Sequence, residues 1–248
     1  MKKICLIFII LCLGSTVQAV ETQVVYKVDN ALFEGFYISP APGDPLVILI
    51  HDWDGLGEYE IRRARMLADQ GYAVFAADMF GKGIRPEEIS ERKRLTGELY
   101  QDRERMRRLL QGALAAAADQ GGDLENAVAM GYCFGGTVVL ELARSGADLK
   151  GFVSFHGGLA TPSDQDYSRT SGSLLVLHGS ADTAVTMTEF ADLTVALEKH
   201  EVAHEMITYG GAPHAFSVFG TDRYREDADQ KSWRRFLNYL DQTLSVGR

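Results

Sequence analysis

One cysteine of this chain stands where a local fold can make a nucleophile of it. Glu125 to Met130 reads as a strand, Gly131-Tyr132-Cys133-Phe134-Gly135-Gly136 as a tight turn, and Thr137 to Ala143 as a helix. A strand-to-helix turn with small residues on both sides of a reactive side chain is a nucleophile elbow, here carrying sulfur in place of a serine oxygen. The glycines have a steric task, because a Cβ at Gly131 or Gly135 would collide with the neighbouring strand or helix. The turn lifts Cys133 to the carboxyl end of the sheet. It also brings the first N–H groups of the next helix beside the sulfur, where their partial positive charge favours a thiolate and later an oxyanion. The plainer reading of the same residues is a buried structural cysteine in a glycine-rich turn, and its partners decide between the two.

A thiol nucleophile needs a base to take or share its proton and an acid group to orient that base. Both are expected just beyond later strands, in the chain order nucleophile, acid, histidine. The strand Leu174 to Leu177 runs into His178-Gly179-Ser180-Ala181-Asp182, and the strand His204 to Thr208 runs into Tyr209-Gly210-Gly211-Ala212-Pro213-His214. Alone, Asp182 reads as a turn or cap residue and His214 as a loop histidine. Together with Cys133, each directly after a strand and in the required order, they read as a triad. Of the other histidines, His51 ends the first core strand and is expected to shape the oxyanion pocket. His156, in Phe155-His156-Gly157-Gly158, ends another strand and is a candidate substrate contact; His178 is expected to be structural, and His200 and His204 to be solvated.

The elements that hold these residues alternate. Val24 to Val28 and Leu32 to Ile38 read as an N-terminal hairpin around Asp29-Asn30. Pro45 to Ile50 is a short, nearly all-apolar run, as in a strand covered on both faces. Helix Glu58 to Gln70, strand Tyr72 to Ala76 and one long helix near Glu98 to Ala118 follow. After the elbow come strand Lys150 to Phe155, helix Thr188 to His200 and a last helix, Asp227 to Leu244. Buried strands alternating with amphipathic helices specify an α/β protein, a mainly parallel central sheet flanked by helices, with ligands beyond the carboxyl ends of the strands.

Composition limits the partners. The net charge is −9, and no basic cluster is dense enough to neutralise a run of phosphates, so nucleic acid is not an expected partner. The basic stretch Arg103 to Arg108 reads as a solvated helix face, or else as a positive rim for an anionic substrate. At the N-terminus, Met1-Lys2-Lys3, the apolar run Ile4 to Leu13 and Val17-Gln18-Ala19 have the layout of a signal peptide over residues 1–19, cleaved after Ala19. The run is too short to span a membrane. Leu11 stands where a lipidated Cys12 would want a small neighbour. Cleavage would remove Cys5 and Cys12 of the three cysteines and leave Cys133 with nothing to pair with, in a periplasmic or secreted protein of one domain, residues 20–248.

These motifs resemble the dienelactone hydrolase family, the thiol members of the α/β-hydrolase superfamily. Gly131 to Gly136, Gly179-Ser180-Ala181-Asp182 and Pro213-His214-Ala215-Phe216 carry the likeness, with His51-Asp52-Trp53-Asp54-Gly55-Leu56 and Gly71 to Gly81 beside them. The resemblance implies the α/β-hydrolase fold and hydrolysis of a small ester or lactone by Cys133, His214 and Asp182 through an acyl-enzyme. It implies an oxyanion held by the backbone N–H groups of Trp53 and Phe134, and neither metal nor organic cofactor. Two positions depart from it. Asp52 replaces a glutamate that contacts the resting thiol in the family, which makes Asp52 a candidate thiol contact of shorter reach. Val218 stands where the founding members carry an arginine for the substrate carboxylate. Those departures support a second reading, a small-molecule binding protein that keeps the fold without useful turnover. A redox-active thiol protein would need a resolving cysteine, which residues 20–248 lack.

Overall fold

A computed structural model describes residues 19–245. The predicted signal segment up to residue 18, with Cys5 and Cys12, lies outside the described residues. Strands β1 (Val20–Val28) and β2 (Ala31–Ser39) form the expected hairpin, paired from Val20↔Ser39 to Val28↔Ala31 around Asp29-Asn30. Asp29 takes φ 53°, a left-handed conformation that Asp tolerates better than most residues. The hairpin joins the main sheet through β2, which runs antiparallel to β4 (Ala73–Ala77).

The remaining strands are parallel: β3 (Pro45–Ile50), β4, β5 (Asp123–Tyr132), β6 (Gly151–Phe155), β7 (Ser173–Gly179) and β8 (His204–Tyr209), in the spatial order β1-β2-β4-β3-β5-β6-β7-β8. All six side chains of β3 are buried because successive residues feed opposite faces. Leu46, Ile48 and Ile50 enter the core that Phe75, Leu110, Val138 and Leu193 fill on one face. Val47 and Leu49 enter the other, with Leu67, Met130, Phe155 and Phe236. Helices α1 (Glu58–Ala68) and α6 (Glu226–Thr243) cover this second face. Helices α2 (Ile89–Gln101), α3 (Arg103–Asp119), α4 (Phe134–Arg144) and α5 (Met187–Lys199) cover the first.

Two expectations change. The single long helix is two, α2 and α3, broken at Asp102, whose φ of −112° and ψ of 76° leave the helical region. Its carboxylate accepts the Arg105 N–H at 2.8 Å, so an aspartate that apolar periodicity passes over acts as an N-cap. The basic run that follows is not simply a solvated face. Arg103 and Arg107, with Arg144 of α4, converge on the fully buried Glu141 carboxylate.

Candidate active site

β5 runs without a break into the elbow and α4 begins on the residue after the sulfur, so Cys133 has only one peptide in which to reverse the chain. It does so at φ 50° and ψ −111°, outside the regions an L-residue favours. Its N–H donates to the Phe155 carbonyl of β6 at 3.0 Å, which fixes the strained residue to the sheet. A Cβ on Gly131 would lie 2.3 Å from the Gly135 backbone, and one on Gly135 would lie 2.3 Å from the Ile50 carbonyl. Only hydrogen at both positions lets strand and helix close around the turn. Cys133 is partly exposed at its crest.

The imidazole of His214, in the loop after β8, reaches both other members of the predicted triad. Its Nε2 lies 3.1 Å from Cys133 Sγ, and its Nδ1–H donates to Asp182 Oδ2 at 2.8 Å. Asp182 follows β7, and its Oδ1 accepts the N–H groups of Ala184 and Val185 at 2.8 and 2.9 Å. Burial opposes the negative charge on Asp182, yet the His214 hydrogen bond and these amides win and hold its carboxyl below the usual range. Burial likewise opposes a charge on His214, but the bonds to Asp182 and Cys133 and their negative charges outweigh it, pushing the imidazole up to about 10. A protonated imidazole within hydrogen-bonding distance of a sulfur stabilises a thiolate there.

Directly after β3, the planar peptide joining Asp52 to Trp53 is gripped on its carbonyl side. His51 accepts the Met79 N–H on Nε2 at 3.1 Å, which leaves its Nδ1–H to donate to the Asp52 carbonyl at 2.5 Å. Peptide planarity then fixes the direction of the Trp53 N–H, which points opposite that carbonyl. No acceptor meets the Trp53 N–H among the described residues. Phe134 is the first residue of α4, so its N–H has no intrahelical partner. Burial pushes His51 down and keeps it neutral for this task. Over the indole face of Trp53 lies the Arg92 guanidinium, 5.4 Å from the ring.

Asp52 does not behave as a thiol contact. Its Oδ1 accepts the Asp54 N–H at 3.0 Å, and it belongs to a cluster with Asp54 and Glu60 whose carboxylate oxygens lie within 4.8 Å of one another. Glu60 is committed to the same loop, accepting from Asp52 N at 3.3 Å and Gly57 N at 3.0 Å. Burial, then the Asp54 side chain and the neighbouring Glu60 carboxylate, pushes Asp52 up to about 10 against the lowering effect of the Asp54 N–H; burial raises Glu60 to about 7. Asp52 is therefore a neutral acid at physiological pH. A cation would have to compete with these protons and with the amides already bound. Outside the loop, a cavity of about 470 Å³ is lined by Phe36, Asp54, Glu60, Arg85 and Arg92 but not by Cys133 or His214.

His156 corrects another expectation. It is 1% exposed, which leaves no face for a substrate, and its ring lies edge-on behind that of His214 with centroids 5.5 Å apart. Its Nε2 pairs with Ser217 Oγ at 2.8 Å, and burial, then the His214 charge, holds it well below the usual histidine range. His178 is fully buried against Phe190, as a structural residue would be. His200 and His204 are half-buried rather than solvated, near Asp166 and Glu198 respectively. Sequence reasoning missed Tyr100, whose ring lies 5.7 Å from that of Phe134. At 36% exposure it borders solvent as well as the elbow helix.

Comparison with known proteins places this geometry. The model of the dienelactone hydrolase family matches residues 33–244. A Synechocystis sp. protein provisionally named a carboxymethylenebutenolidase is 27% identical, the match covering 89% of this chain and 96% of the relative. A Bradyrhizobium sp. protein provisionally named a 2-oxo-3-(5-oxofuran-2-ylidene)propanoate lactonase is 28% identical over 79% of this chain and 83% of its own. Among solved structures, a dienelactone hydrolase-like promiscuous phosphotriesterase from metagenomic libraries superposes with a TM-score of 0.84 at 29% identity, covering 92% of this chain and 99% of that one.

Proposed function

The chain belongs to the dienelactone hydrolase family, a hydrolase of esters and lactones with the α/β-hydrolase fold, and we propose that it cleaves its substrate through a Cys133–His214–Asp182 triad and a thioester intermediate. One observation carries this reading: a single imidazole bridges Cys133 at 3.1 Å and Asp182 at 2.8 Å. Cys133 Sγ attacks the carbonyl carbon, and the oxyanion forms against the N–H groups of Phe134 and Trp53. His214 gives its Nε2 proton to the departing alkoxide, leaving the acyl group on sulfur. A water then loses its proton to His214 as it attacks the thioester; the tetrahedral adduct collapses, the carboxylic acid departs, and the thiolate–imidazolium pair is restored. Asp182 keeps Nδ1–H in place and opposes the charge that each step moves.

The relatives' names favour a small lactone. Val218, where an arginine for a substrate carboxylate is expected, favours one without the dienelactone carboxylate. The basic, apolar and small-residue order of residues 1–19 supports export to the periplasm or medium, which N-terminal sequencing of protein recovered outside the cytoplasm would test. For the chemistry, a panel of p-nitrophenyl esters and lactones is assayed before and after a thiol-specific alkylating agent. Hydrolysis that disappears with one modified sulfur per chain supports the proposal. Hydrolysis that survives full modification of Cys133 excludes it, and binding without hydrolysis would favour a binding protein.

A further inference from the structure

His214 is followed by Ala215 at φ 60°, a left-handed conformation that an alanine leaves unless its surroundings hold it. The tight turn closes with the Val218 N–H on the Ala215 carbonyl at 3.0 Å, and something outside the turn must keep it there. That grip falls on Ser217, which is fully buried. Its carbonyl accepts from Arg63 Nη2 at 2.8 Å and from the Tyr59 hydroxyl at 3.2 Å, while its Oγ meets Tyr59 at 2.9 Å and His156 at 2.8 Å. Both Tyr59 and Arg63 are on α1, on the far side of the chain from the triad in sequence.

Arg63 is a large charged side chain with 0% exposure, which a protein rarely buries without use. Its charge is opposed by Asp229 of α6, and aromatic rings enclose the rest: Phe219 at 4.2 Å, Trp233 at 4.9 Å, Tyr59 at 5.3 Å and Tyr132 at 5.7 Å. Tyr132 is the residue before Cys133. The same guanidinium therefore touches the strand end that carries the nucleophile and the loop that carries its base. Two loops that approach the reaction from different strands are referred to one rigid planar group.

We propose that Arg63, held by Asp229, is a positioning residue that fixes the His214 loop relative to the Cys133 elbow through Ser217 and Tyr132. The bonds to the Ser217 carbonyl and the Asp229 carboxylate both leave Nη2, while Nε–H donates to the Tyr59 hydroxyl at 3.3 Å; an ammonium on a flexible stem has neither that second nitrogen nor the flat face that the surrounding rings stack on. The inference rests on the triad proposed above, but its test does not depend on turnover. The groups facing His214 are Cys133, Asp182, His156 and His178, and none is altered by the substitutions.

The test compares Arg63→Lys and Asp229→Asn, which loosens the partner that holds the guanidinium, with the wild type, using histidine-labelled full-length protein. NMR follows the titration of the His214 imidazole, and iodoacetamide measures the reaction rate of Cys133 at pH 7.5. Loss of the grip lets the imidazole drift from its two partners, so the His214 midpoint should fall by about one unit from its raised value. Alkylation should slow by about three- to ten-fold, more in Arg63→Lys than in Asp229→Asn. A residue that merely supported the core would lower the melting temperature and leave both readings alone. Wild-type readings in both folded variants would overturn the proposal; if Arg63→Lys does not fold, a wild-type result in Asp229→Asn alone does so. An absence of ester hydrolysis in wild-type protein whose His214 midpoint is raised would count against the triad chemistry and not against the positioning role.

Discussion

Asp182 and Asp52 are the same residue, each in a loop after a parallel strand and each 6% exposed, yet they ionise in opposite directions. Asp182 receives two amide N–H groups and a histidine that can carry charge, and stays an anion. Asp52 receives one amide and faces Glu60 and Asp54, and keeps its proton to about 10. Burial penalises both and Asp52, the more deeply enclosed, the more; what each oxygen faces then holds Asp182 down and adds to the rise of Asp52. One side of the site is built to stabilise a moving positive charge. The other is a neutral clamp on the loop that holds the Trp53 N–H.

The strongest way to break this comparison is to remove the sulfur that both sides serve. Cys133→Ala should abolish ester hydrolysis with an unchanged circular dichroism spectrum, and Cys133→Ser should keep only a small fraction; activity surviving in the alanine variant would end the thiol mechanism. Next in size is the charged side. Asp182→Asn should lower kcat by about 10³–10⁴-fold, because an amide can hold the wrong imidazole tautomer. His214→Ala should lose at least about 100-fold. Asp52→Asn replaces a neutral acid by a neutral amide and should cost less than about ten-fold; a loss equal to that of Asp182→Asn would show that Asp52 works as an anion after all.

The pH dependence sharpens the contrast. His214 carries its proton below about 10, so the alkaline limb of kcat/KM should fall as pH rises through that value; a limb near the ordinary histidine value would contradict the network. Stability responds to Asp52 with the opposite sign to Asp182. A carboxyl whose folded pKa is raised binds more protons in the native state, so stability falls as pH rises from about 4, the unfolded value, towards the folded value near 10. Asp52→Asn should therefore be the more stable protein at pH 8, and the gap should close by pH 4. A gain of about 1 kcal/mol would appear as about 2–4 °C in melting temperature, and equal gaps at both pH values would show that Asp52 titrates normally. The smallest effect expected is from Asp52→Glu, a modest change in the pH profile of Cys133 alkylation, and superimposable profiles would place this carboxyl out of reach of the sulfur.

What the chain discloses before folding follows from how locally each feature is encoded. The elbow is one contiguous stretch, and Asp182 and His214 each follow a strand whose apolar run marks its end, so their order and placement were readable. β3 is legible for the same reason, with every residue apolar. The break at Asp102 was not, because apolar spacing continues across it and only the capping side chain marks the boundary. Nor could the linear sequence tell Asp52 from Asp182 by ionisation, since Glu60 reaches back from the next helix to share the loop. Arg63 reads as one of several basic residues on α1; its role depends on Ser217 and Asp229, which only the tertiary fold brings to it.

His214 follows β8, the last strand in the chain, and that late position has a consequence for synthesis. A chain emerging from the ribosome presents Cys133 well before His214, and the Asp229 that braces the histidine loop comes later still. Until then Cys133 has no imidazole 3.1 Å away. In the proposed mechanism the nucleophile and its base are thus joined only when synthesis is nearly complete, because 80 residues of chain separate Cys133 from His214.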